Sequence, residues 1–181
     1  MPTDRIVLRS AGTLLLAMAA ISGCSNVSDS RGPATPDAAN LFDGLQKLQG
    51  RWESPDADND GKPDAAVVYR VTSNGSAIEE TLLPGTPHEM VTLYNMDHGR
   101  LVLTHYCALG NQPRLEAAPE STAGKIVFRF VDGMNLDARK DQYMGALTMT
   151  IDGDRLKQEW TSFKDGKAEA PHVFEYARVK G

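Results

Sequence analysis

Leu147-Thr148-Met149-Thr150-Ile151-Asp152-Gly153-Asp154-Arg155-Leu156-Lys157-Gln158-Glu159-Trp160-Thr161-Ser162-Phe163 contains two runs of two-residue period on either side of an Asp-Gly-Asp turn. Side chains alternate faces along a strand, so such runs predict half-buried strands, and the turn residues predict that the two pair as a hairpin. The same grammar extends outward through Val67–Thr72, Val91–Asn95, Leu101–Tyr106, Ile126–Val131 and Val173–Val179. Asn74-Gly75, Asp97-His98-Gly99 and Asp165-Gly166 supply further tight turns. Eight to ten antiparallel strands with no intervening helix predict a mainly β protein, an up-and-down barrel or a strongly curled meander, with a sandwich as the alternative. Ahead of the strands, Ala38, Leu41, Leu45 and Leu48 recur at helical spacing beside Phe42, so a short amphipathic helix is expected over Asp37–Leu48, stopped by Gly50.

The first residues follow a different logic. Arg5 and Arg9 precede an apolar to weakly polar stretch, Ala11 to Ile21, and then Ser22, Gly23 and Cys24. Eleven such residues fall short of the roughly 20 a transmembrane helix needs, so residues 1–23 read as a signal peptide. Ile21-Ser22-Gly23-Cys24 resembles the lipobox of bacterial lipoproteins, which implies cleavage before Cys24 and acylation of that cysteine, a membrane-lipid anchor. Residues 24–36, rich in Ser, Gly and Pro, read as a tether, and 37–181 as one domain. Ser25 follows the cysteine where an inner-membrane retention signal would carry aspartate, so in a Gram-negative cell the outer membrane facing the periplasm is the expected address.

Removing residues 1–23 leaves 17 lysines and arginines against 23 carboxylates, a charge of −6 that argues against nucleic acid as a partner. With Cys24 committed to lipid, Cys107 has no disulfide partner and reads as a small buried hydrophobe, with a reactive thiol as the alternative.

Gly50-Arg51-Trp52, between the helix and the first strand, resembles the Gly-x-Trp signature of lipocalins. That resemblance implies a barrel end plugged by Trp52, with an arginine of the last strand, here Arg178, over its ring. Thr104-His105-Tyr106-Cys107 followed by Gly110-Asn111-Gln112-Pro113-Arg114 is similar to the central motif of a family of uncharacterised bacterial secreted lipocalin-like proteins, and Gly75–Glu80 and Glu89–Tyr94 to other parts of it. The likeness spans most of residues 45–179 and implies a lipocalin-like, calycin-type fold without an assigned reaction. Tyr143-Met144 stands where relatives are expected to carry histidine and methionine, so a metal role there does not carry over.

His105 shares a strand face with Leu101 and Leu103, while Asn111, Gln112 and Arg114 sit in what reads as a loop. The expectation is a ligand site at the barrel mouth formed by His105, Tyr106, Asn111, Gln112 and Arg114, in which Arg114 forks onto an anionic head. The competing reading has these loop groups satisfying backbone and acidic neighbours such as Asp132. Asp56, Asp58, Asp60 and Asp64 resemble the oxygen-rich part of a calcium loop, yet Val67 occupies the position of the bidentate glutamate, and a solvated acidic loop is the favoured reading. His88 with His105 is the candidate pair for haem or a metal. Glu79 and Glu80 are adjacent on a strand, face opposite sides and cannot work as an acid/base pair.

Three functions follow as expectations. The first is a lipid-anchored binding barrel for a small apolar or amphipathic ligand. The second is an enzyme using His105 with Asn111 and Arg114. The third is a structural lipoprotein whose barrel is filled by side chains such as Phe128, Phe130, Met149 and Trp160.

Overall fold

In a computed structural model, which describes residues 35 and 37–180, one short helix is followed by eleven strands. The signal peptide, Cys24 and nearly all of the tether lie outside the described residues. Helix α1 is Ala38–Gln46 and buries Ala38, Leu41, Phe42 and Leu45 along one stripe, as the spacing of its apolar residues requires. It ends two residues earlier than expected, in a tightened turn where Lys47, Leu48 and Gln49 donate to carbonyls three residues back.

The strands are β1 (Gly50–Glu53), β2 (Ala66–Thr72), β3 (Ala77–Leu82), β4 (Met90–Asp97), β5 (Arg100–Tyr106), β6 (Gln112–Ala117), β7 (Lys125–Met134), β8 (Tyr143–Asp152), β9 (Arg155–Lys164), β10 (Lys167–Ala168) and β11 (His172–Arg178). Every sequential pair from β1 to β9 is antiparallel. β9 then pairs with β11 and β11 with β1, which closes ten strands into an up-and-down, lipocalin-like barrel, with the two-residue β10 appended to the end of β9. Closure removes the unpaired edges that an open sheet would present.

Gln112 and Arg114, read above as loop residues, belong to strand β6. Pro113, Leu115 and Ala117 are buried and alternate with the less buried Gln112, Arg114 and Glu116, a two-residue period that the polar composition disguises. The turns behave as their sequences require: His98-Gly99 and Asp165-Gly166 both take positive φ at both central positions, the two-residue hairpin geometry that matches strand twist.

The seam between β1 and β11 is the shortest ladder in the closed wall, with only Trp52 opposite Arg178 and Glu53 opposite Ala177. Side chains compensate for its brevity. The Arg178 guanidinium lies 4.2 Å from the centre of the Trp52 ring. It donates to the carbonyls of Lys47 (2.8 Å) and Gln49 (3.0 Å), while the Trp52 indole N–H donates to that of Leu48 (2.8 Å). Three consecutive carbonyls of the turn that follows the helix are thereby satisfied, and the helix is fixed to the end of the barrel. Thr35 ties the chain ahead of the helix to the Ala117 carbonyl, 2.6 Å away.

The lumen is occupied by side chains. Trp52, Tyr69, Tyr94, Leu101, Leu103, Phe128, Met149 and Trp160 are all essentially inaccessible, and each large apolar group contributes on the order of 1.5–3 kcal/mol by leaving water. Phe130 is only partly buried, against Tyr143.

Candidate functional site

Four successive strands place a polar side chain at the same cross-strand position. Tyr69 on β2 lies opposite Glu80 on β3, Glu80 opposite Thr92 on β4, and Thr92 opposite His105 on β5. All four are buried, and the last three have no accessible surface. Alternation explains why they point inward: Glu80 sits between the buried Ile78 and Leu82, and His105 follows the buried Leu101 and Leu103. From β9, Gln158, between the buried Leu156 and Trp160, reaches across to the same row.

Glu80 is the centre of this belt. Its Oε2 accepts from the Tyr94 hydroxyl at 2.5 Å and from Gln158 Nε2 at 3.1 Å, and the same Gln158 nitrogen donates to the Tyr69 hydroxyl at 2.6 Å. The carboxylate fixes the orientation of the amide, because turning it over would set an amide oxygen against Oε2. Burial raises the Glu80 pKa to about 6, against the opposing hydrogen bonds from Tyr94, Tyr69 and Gln158. Glu80 is therefore mostly ionised at neutral pH. Burial and the Glu80 charge push Tyr69 and Tyr94 upward, and Tyr176 of β11 likewise, so all three stay as phenols.

His105 forms the second half. Its Nδ1 is 2.9 Å from the Thr92 hydroxyl, and its ring lies 4.7 Å from that of Trp160, centre to centre. Burial lowers its pKa to about 4, so the imidazole is neutral.

The belt is incompletely satisfied. Glu80 Oε1, Gln158 Oε1, His105 Nε2, Trp160 Nε1 and the Tyr176 hydroxyl are buried without a hydrogen-bond partner. A buried polar group left unmet costs about 1–3 kcal/mol, so five such atoms in one barrel interior require an explanation. On the outside of the same wall, a groove of about 420 Å³ beside Pro55 is lined by Thr150, Asp152, Arg155, Lys157 and Glu175, with Tyr176 also on its border.

The structure separates the residues singled out from sequence. His105 is inside, whereas Tyr106, one residue on, is 42% exposed on the other face. Arg114 lies opposite Thr104 with its side chain on the outer wall, where Asp132 accepts from it at 2.6 and 2.9 Å and Asp97 at 3.4 Å. The Asn111 amide donates to the Gln142 carbonyl, and Gln112 and Asn135 both donate to that of Gly110. These groups secure connections between strands, and none of them is hydrogen-bonded to His105. Gln158 and Tyr176 escape the sequence reading, and Glu80 enters it only as a carboxylate that cannot pair with Glu79, although it carries a legible signal, a carboxylate midway between two apolar residues of one strand face.

Asp56, Asp58 and Asp64 bring carboxylate oxygens within 4.8 Å of one another in the β1–β2 connection. Asp60 is not part of that trio, and all four side chains already accept from backbone N–H groups of their own loop. His88 is exposed on the β3–β4 connection, whereas His105 Nε2 has no accessible surface. Cys107 is half-buried, and burial raises its thiol pKa. Among the described residues, no helix is long and apolar enough to cross a membrane. No protein-family model matches the chain, and no curated protein matches it.

Proposed function

We propose that this chain is a lipid-anchored lipoprotein of the bacterial cell envelope whose lipocalin-like barrel holds a small amphipathic ligand by its head in the buried polar belt. The observation that carries the reading is the set of five inward polar atoms without partners in an otherwise apolar, tightly packed interior. A ligand head that meets them recovers hydrogen bonds in a low-dielectric setting, and its entry requires the side chains that fill the lumen to move aside so that the apolar walls take its hydrocarbon part. The likeness to secreted lipocalin-like proteins and the lipobox at Cys24 support the same assignment.

Native mass spectrometry of gently extracted protein tests it. A co-purifying small molecule, lost in a variant with the belt disrupted, is the expected result. Cys24→Ser tests the anchor: the variant should leave the membrane fraction, and retention there would overturn lipidation. A second reading, a structural lipoprotein with a filled barrel, is favoured by the side-chain contacts that cross the lumen, Gln158 to Glu80 and Trp160 to His105. A ligand-free mass from every preparation would select it.

A further inference from the structure

The helix sits at the barrel end where Gln46 donates to the Gly75 carbonyl of the β2–β3 connection. The β3–β4, β5–β6 and β7–β8 connections lie at the other end, and there the outward side chains form an apolar row. Val68 on β2 lies opposite Thr81 on β3, Thr81 opposite Val91 on β4, and Val91 opposite Tyr106 on β5. Beyond Tyr106 the Cys107 N–H donates to the Asn111 carbonyl at 3.1 Å, which carries the register to Gln112 on β6, and Gln112 lies opposite Met134 on β7. One step toward the helix the outward row turns charged, with the ion pairs Arg70–Glu79 (2.8 Å) and Arg114–Asp132 (2.6 Å). The apolar character is therefore confined to the rim. Tyr106 is 42% exposed, Met134 57%, and Leu109, in the turn that joins β5 to β6, 55%. None of the three belongs to the core, and an apolar cluster kept in water marks a contact surface.

We propose that this rim docks on a lipid bilayer, with Tyr106, Leu109 and Met134 dipping into the headgroup boundary and the helix end facing away. The inference rests on the lipid-anchored reading above and adds where on the barrel the membrane is met. Area argues for lipid over a second copy of the chain: three half-exposed side chains offer a few hundred Å² at most, against about 800 Å² per partner in a stable protein–protein contact. A surface to which the chain is already anchored needs far less, because a tether turns a weak contact into an intramolecular one. The tether also has the reach. Eleven residues separate Cys24 from Thr35, which bonds the Ala117 carbonyl at the helix end, and a chain of that length spans at most about 36–40 Å. The longest strands, ten residues each and tilted in the wall, rise roughly 25–30 Å, so the tether is long enough to run the height of the barrel. Charge adds little, since in the β7–β8 connection Arg139 and Lys140 each lie 3.4 Å from Asp137, and Asp141 completes the balance. The contact is apolar and needs no anionic lipid. Tyrosine, with an apolar body and a polar tip, suits that boundary.

The test uses the full chain, processed in a bacterial host and reconstituted into vesicles of a zwitterionic phospholipid with brominated acyl chains. Native Trp52 and Trp160 have no exposure and serve as background. Leu109→Trp is expected to lose at least about half of its added emission, as a ring about 5–10 Å into the headgroup boundary would. Ala123→Trp, exposed in the β6–β7 connection at the helix end, is expected to keep its emission. The unaltered chain gives a second reading: a phospholipid with a photoactivatable acyl chain is expected to label the peptides that contain Tyr106, Leu109 and Met134. A chain that floats with the vesicles, but in which Leu109→Trp is quenched no more than Ala123→Trp and the photolabel stays at the N-terminus, overturns the docking and leaves the anchor standing. The same result together with a dimeric mass overturns it in favour of a second copy. A chain that does not float overturns the anchor and the docking together.

Discussion

The guanidinium of Arg178 covers the ring of Trp52 at 4.2 Å while its nitrogens hold the carbonyls of Lys47 and Gln49. One side chain thus fastens the last strand, the first strand and the end of the helix. Replacing Arg178 with methionine is expected to cost roughly 1–3 kcal/mol, the combined loss of a cation over an indole face and of partners for two carbonyls. Lysine there keeps the charge but lacks the fork and should fall between the two. Denaturant melts of the three proteins measure this.

Glu80 sets one pH dependence. Its pKa is raised from 4.5 to about 6 in the folded chain, so the folded state favours the protonated form. The contribution is therefore fully present below about pH 4.5 and is lost as pH rises through about 6, amounting to about 2 kcal/mol. Glu80→Gln should remove that loss, so that the stability of the variant relative to the parent grows between those values.

His105 tilts the opposite way. Burial lowers its pKa from 6.5 to about 4, so its contribution is present above about pH 6.5 and lost as pH falls through about 4. The full effect is about 3 kcal/mol. His105→Gln should flatten the acid limb of the stability profile. The two single variants, measured by urea melts across pH, should diverge from the parent in opposite directions.

Arg114→Ala is expected to leave ligand binding unchanged and to alter stability by less than about 1 kcal/mol, because its partners Asp132 and Asp97 lie on the solvent side of the wall. A loss of binding in this variant would return the site to the mouth loops.

Cys107 should react more slowly than an unperturbed thiol at about pH 8, since burial raises its pKa and reduces its thiolate fraction. Reaction with a chromogenic disulfide in the native protein and in urea gives the comparison.

The wall of this molecule was legible because alternation and turn chemistry are local. Leu147–Phe163 reads as a hairpin without knowledge of anything else, whereas the pairing of Trp52 with Arg178 came from the likeness of Gly50-Arg51-Trp52 to the Gly-x-Trp signature. Arg114 was misplaced in a loop because Gln112-Pro113-Arg114 looks like a connection. Counting by twos from Leu115 and Ala117 sends Arg114 outward. The joint role of Glu80 and Gln158 stayed hidden for a different reason. Each breaks the apolar face of its own strand, and what unites them is closure of the barrel, which brings β9 over β3, 78 residues apart in sequence.

The brief ladder between β1 and β11 has a mechanical consequence. Every other junction in the cylinder is longer, so the staves are expected to part here first under thermal motion once the Arg178 and Trp52 contacts are removed. Arg178 holds that junction shut, so amide exchange along β1 and β11, and not only melting temperature, should respond when that arginine is changed.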